Sequence, residues 1–186
     1  MAEQVTPFSR FLPGCTFYER HEAPVAGVAP ARIIDAVATF DMRSDPVVDT
    51  LLRVREWPAR LAQHIGGAAR ERFGFGTFTL LHRDEHELSL GLAGRFWRPD
   101  FGLVDVANAD AFLALARRDV AKLVVRFRVN ELGVGESRLI TETFVHCPSW
   151  HTKAMMTPYW IAIRASSGWI RRRTLASVAR ALAAQR

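Results

Sequence analysis

The sequence predicts an α+β fold in which a curved antiparallel sheet wraps around one long C-terminal helix, with two short helices after the first strand. Three observations lead there. Segments with strand-like alternation fill the middle of the chain, from about Thr77 to Cys147. Helical periodicity falls mainly just after the first strand and in the C-terminal third. That last third carries Met156, Tyr159, Trp160, Ile163, Ser167, Ile170, Thr174 and Val178, within roughly a 100° arc at 3.6 residues per turn. Helices set apart in sequence from antiparallel strands make an α+β domain. The terminal stripe can be buried only against the sheet, and a twisted sheet around a helix leaves room for an apolar ligand.

The 186 residues suit one domain, and 49% of them are hydrophobic against 24% charged. The division expected is an irregular N-terminal arm over residues 1–15, carrying Pro7, Pro13 and Gly14, and a single domain over residues 16–186. No repeat or low-complexity segment interrupts it.

Thr16 to Ala26 reads as the first strand. Pro24 removes a ladder donor and so places this strand at an edge. Pro30 suits the first turn of a helix, whose apolar face is Ile33, Ile34, Val37 and Phe40. Ser44-Asp45-Pro46 is a second start signal, with Val47, Val48, Leu51, Leu52 and Val54 behind it and Trp57-Pro58 as its stop. A weaker helix over 59–65 ends at Gly66-Gly67, and Gly74 and Gly76 mark loop. Thr77 to Arg83 and Glu87 to Gly94 are paired strands turning at Asp84-Glu85-His86. Leu103 to Val106 reads as a short strand, and NADAFLALARRD as a short helix or a helical loop. Ala121 to Glu131 and Ser137 to Cys147 form a hairpin turning at Gly133-Val134-Gly135, where glycine accepts positive φ. Ser149 is a candidate N-cap of the last helix. Pro158 either kinks that helix or, with Thr157 as cap, marks a later start.

The net charge of +6 is uneven. Arg164, Arg171, Arg172, Arg173, Arg180 and Arg186 fall in the last 23 residues, which hold no acid, so the rest balances at 19 basic and 19 acidic side chains. A basic surplus confined to one helix argues against general nucleic-acid binding. It allows a weak membrane-surface contact through Arg171, Arg172 and Arg173, with Trp169 beside them. The bland reading is a cationic helix end that complements the helix dipole. Two cysteines without a CxxC pair, no secretory signal and no apolar run of 18 residues point to a reduced, cytoplasmic protein without a transmembrane segment.

The order strand, helix pair, strands and long helix resembles the START-like and Bet v 1-like (SRPBCC) superfamily. Gly94-Arg95-Phe96-Trp97-Arg98-Pro99, Phe127-Arg128-Val129, Thr141-Glu142-Thr143 and Ser167-Gly168-Trp169-Ile170-Arg171-Arg172 look like a narrower bacterial subfamily with no assigned chemistry. The resemblance spans roughly Phe17 to Arg180. It implies a helix-grip fold with an internal cavity for a lipid, steroid, hormone or polyketide, in a carrier, a sensor or a cyclase. Pro158 departs from the similar sequences, which continue the helix there with a basic residue.

Five residues are candidate ligand contacts. Arg95 and Trp97 lie near a strand end, where arginine can hold a carboxylate or phosphate and tryptophan can cover an apolar group. The alternative for Arg95 is stacking on Phe96 or Trp97, or a structural pair with an acid. Trp160 lies on the inward arc of the terminal helix. Arg126 and Glu142 lie on partner strands, as a polar anchor or general base inside the cavity, or as an ion pair on the outer face. A one-residue change of register decides between these. The expected partner is a small apolar or amphipathic molecule. A cyclase- or hydratase-like enzyme and a basic-helix adaptor are the competing functions.

No cofactor is implied. His82 and His86 are four apart across a turn and make no metal motif. Cys147 with His146 or His151 is a weak nucleophile pattern, since neighbours on a strand face opposite ways. FGFGTF lacks the following helix that a phosphate loop needs.

Overall fold

Backbone pairing is concentrated in the segments rich in apolar and β-branched residues, such as AKLVVRFRVNELG and ESRLITETFVH. The computed structural model describes residues 8–39, 77–98, 100–133, 135–162 and 164. The chain is an α+β protein with a five-stranded antiparallel open sheet. Its strands are β1 (Phe17–Ala26), β2 (Thr79–Arg83), β3 (Glu87–Gly94), β4 (Ala121–Gly133) and β5 (Glu136–His146), in the order β1-β5-β4-β3-β2. The helices are α1 (Pro30–Thr39), α2 (Ala109–Ala114) and α3, which covers residues 150–162.

The β4–β5 hairpin is the spine of the sheet, and β1 closes the far side of β5 over its whole length. Pro24 is therefore tolerated: β1 is an edge strand. Strand pairing begins right against the turn, at Gly133↔Glu136, with Gly135 at φ 75°. At the other end of the sheet, Gly94 has a specific packing reason. A Cβ there would stand 2.8 Å from the carbonyl oxygen of Phe101, which is backbone and cannot swing aside. The expected strand over Leu103 to Val106 shrinks to one bridge, Ala93↔Val104. Phe101 and Gly102 both take positive φ just before it and turn the chain away from the ladder.

Successive strand residues face opposite ways, so the register sorts the sheet into two faces. Val25, Leu88, Leu90, Phe127, Val129 and Leu139 lie on one face, and α1 covers them with Ile33, Ile34 and Val37. Each such side chain stabilises the fold by about 1.5–3 kcal/mol on burial. The same face continues through Phe17, Leu92, Leu123 and Val145 to meet Met156 and Trp160 of α3. Met156 and Trp160 are four apart and so share one stripe. The opposite face is covered by the N-terminal arm and α2: Phe11, Leu12 and Phe112 pack on Ala93, Val124 and Phe144.

Helix α3 starts where Ser149 predicts. Its hydroxyl accepts the Thr152 N–H at 3.1 Å, and the Ser149 and Thr152 hydroxyls both donate to the Arg118 carbonyl, at 3.0 and 2.7 Å. The later start at Thr157 is thereby corrected. The helix runs through Pro158, and the Thr157 hydroxyl donates back to the Lys153 carbonyl at 2.7 Å instead of capping a new helix. The helices expected over 46–57 and 59–65, and the terminal stripe at Ile163 and from Ser167 to Val178, lie outside the described residues. So do Trp169, Arg171, Arg172 and Arg173.

Candidate functional site

Two of the sheet's buried polar groups lie on opposite faces, separated by strand parity. On the face under the N-terminal arm and α2, Arg126 and Glu142 are direct cross-strand partners. The Arg126 guanidinium donates from Nε to Glu142 Oε2 at 2.9 Å and closes the ion pair from a second nitrogen at 2.7 Å. The Tyr18 hydroxyl donates to Glu142 Oε1 at 2.7 Å. The guanidinium also lies 4.9 Å from the centre of the Phe144 ring. Glu142 is only 5% exposed. With both oxygens occupied, the buried carboxylate is compensated.

Burial, and then the Glu142 carboxylate that accepts its proton, push the Tyr18 phenol from 10.0 up to about 12. A raised folded-state pKa adds stability that is complete below the unfolded value and is lost as pH rises through the folded one. Wild type is thus expected to lose stability between about pH 10 and pH 12 faster than Tyr18→Phe, in paired urea titrations across that window. Parallel profiles would show that Tyr18 does not carry this linkage.

On the face under α1 and α3, the register brings together residues from β1 and β5 that are far apart in sequence. Glu19 is opposite Thr143, and His21 is opposite Thr141. His21 Nε2 lies 3.0 Å from Glu19 Oε1, and both side chains are largely buried. Thr141 and Thr143 are fully buried, and neither hydroxyl has a hydrogen-bond partner among the described residues. A buried hydroxyl left unmatched costs about 1–3 kcal/mol. Apolar residues border the group: Phe17 and Val145 toward α3, Phe127 and Leu139 toward α1.

The five sequence candidates therefore part company. Trp160 and Trp97 belong to the cluster beneath α3, and Trp160 stacks on Phe17 at 5.5 Å between ring centres. Arg126 and Glu142 bond to each other on the opposite face. Arg95 forms an ion pair with the Asp119 carboxylate, which Arg117 also holds. These two guanidinium groups, Arg117 first, keep Asp119 far below the usual carboxylate range. Glu19, His21, Thr141 and Thr143 were not singled out as a group from sequence. Their parity within each strand is readable, but the β1–β5 register that joins them is a long-range fact.

The remaining sequence motifs resolve simply. His82 Nε2 contacts Asp84 at 2.8 Å and His86 Nε2 contacts Glu131 at 3.1 Å, so the two rings go to different carboxylates. Among the described residues, no three His, Cys, Asp or Glu side chains converge on one point. Burial raises the thiol of Cys15, and raises that of Cys147 to about 11. Both thiols thus stay protonated at neutral pH, the wrong state for a nucleophile. No helix among the described residues is long and apolar enough to cross a membrane. Comparisons with protein-family models, curated proteins and solved structures give no match.

Proposed function

We propose that this chain is a helix-grip protein of START-like kind that binds a small, mostly apolar molecule with one neutral polar end between the sheet and the helices α1 and α3. The polar end meets Thr141, Thr143 and the Glu19–His21 pair, and the apolar body lies along the surface bounded by Phe17, Trp160 and Trp97. The observation that carries this reading is the pair of fully buried threonine hydroxyls without a partner among the described residues. They stand beside the Glu19–His21 pair with apolar residues on either side, and a site with a few placed polar groups in apolar walls suits an amphipathic ligand. Arg95, Arg126 and Glu142 take no part, because each already has an ion-pair partner.

Native mass spectrometry of the purified protein is expected to show a co-purifying molecule, and dehydroergosterol, a fluorescent sterol with one hydroxyl, is expected to bind saturably. Thr141→Val/Thr143→Val keeps the shape and removes both hydroxyls. It is expected to weaken that binding by about tenfold, the loss of one to two hydrogen bonds, while raising the melting temperature of the free protein. Bare-chain mass only, with no saturable probe binding, would rule the reading out.

A further inference from the structure

A cleft of about 470 Å³ opens on the other side of the sheet, between the N-terminal arm, the segment following α2, and the start of β4. Its apolar wall includes Phe11, Leu115 and Pro148, and its polar lining is Arg10, Arg117, Lys122 and His146, with no acidic residue. Lys122 and His146 are cross-strand partners and so share the face that carries Phe144 and Val124.

Lys122 is the unusual member. It is only 6% exposed, and it makes no ion pair among the described residues. Its ammonium donates to the Leu113 carbonyl at 3.3 Å and lies 5.1 Å from the centre of the Phe112 ring. An ammonium has three donors, so this one long bond leaves capacity facing the cleft. Buried lysines without a carboxylate are rare because desolvating a lone charge is costly.

Of the other basic groups, each arginine has a carboxylate neighbour, which Arg117 shares with Arg95, and the histidine is neutral. Arg117 is held by Asp119 at 2.6 Å, and Arg10 lies 3.7 Å from Glu87. Burial, with the nearby Lys122 charge, lowers the His146 pKa below its usual 6.5 and leaves the ring neutral at pH 7. Lys122 itself is lowered by burial. Lys122 is thus the one basic group of the lining that is charged and has no carboxylate partner among the described residues, a single ammonium beside an apolar wall that suits one carboxylate.

We infer that this cleft is a second binding site, for an organic monocarboxylate with an apolar body, whose carboxylate pairs with Lys122. The site stands apart from the one under α1 and α3, being on the opposite face, and does not depend on it.

The test uses the full chain and two probes of one shape, 2-naphthoate and its neutral amide 2-naphthamide, titrated by equilibrium dialysis. Wild type is expected to bind 2-naphthoate more tightly than 2-naphthamide. Lys122→Met is expected to weaken 2-naphthoate by about tenfold or more, as for loss of a charged hydrogen bond, and to leave the amide within about twofold. It is also expected to melt no lower than wild type, since it removes a buried lone charge. Ala116→Trp, at an exposed position on the rim, is expected to block both probes and keeps the test decisive should Lys122→Met fold poorly. Equal wild-type affinity for the two probes, unaltered 2-naphthoate binding in either variant, or its loss in Thr141→Val/Thr143→Val would overturn the assignment.

Discussion

Arg126→Met is expected to lower the unfolding free energy by about 3–5 kcal/mol, the usual cost of removing one partner from a buried ion pair. Methionine keeps the apolar stem against Phe144, so the loss reports on charge and not on a void. What remains is the Glu142 carboxylate, nearly out of water, with only the Tyr18 hydroxyl to accept from among the described residues. The double variant Arg126→Met/Glu142→Met is expected to recover most of the loss, because two apolar chains of similar volume can replace a buried pair at little cost. Urea midpoints of wild type, both single variants and the double variant give the coupling directly. A single-variant midpoint equal to wild type would mean that the pair is solvated and unimportant to the fold.

Met156→Asp is expected to cost about 4 kcal/mol or more, through the burial of an unpaired charge. Met156 is fully buried among Leu92, Ala121, Val145 and Trp160, at the point where α3 seats on the sheet. Its neighbour Met155 is 42% exposed, and Met155→Asp is expected to stay within about 0.5 kcal/mol of wild type, as at other surface positions. The two variants differ by one step along one helix, so propensity and helix charge are nearly the same in both. Equal melting temperatures for them would show that α3 does not pack on the sheet through this stripe.

The local features were legible because they rest on near neighbours. Glu87–Gly94 is a strand in both readings, since its apolar residues and its Asp84-Glu85-His86 turn are local signals. The Asp84 carboxylate accepts the N–H groups of His86 and Glu87 at 2.8 and 2.7 Å, which is why that turn is specific. Asn108 caps α2 by accepting the Ala111 N–H at 2.9 Å, within the segment read as a short helix or a helical loop. Local signals failed where a long-range contact overrode them. The segment after Gly102 has strand-like residues, but it finds a single bridge to pair with. Thr157-Pro158 has the form of a helix start, but it lies inside a helix that Ser149 had already begun.

The candidate sites divide in the same way. Sequence alone allowed a register in which Arg126 and Glu142 meet across one hairpin, and strand alternation turns Thr141 and Thr143 away from Glu142. Sequence determined the α+β class, the edge position of β1, and the cap that launches α3. Only the tertiary structure decided which face of β5 lies beneath the helices. The period of a strand is two, so parity sorts residues into two sets but carries no label for inside. The packing of α1 and α3 on one face assigns that label, together with the pairing of β1 with β5 across more than a hundred residues. Together they set Thr141 and Thr143 beside Glu19 and His21 beneath α1 and α3, and they leave Glu142 and Lys122 on the side covered by the N-terminal arm and α2.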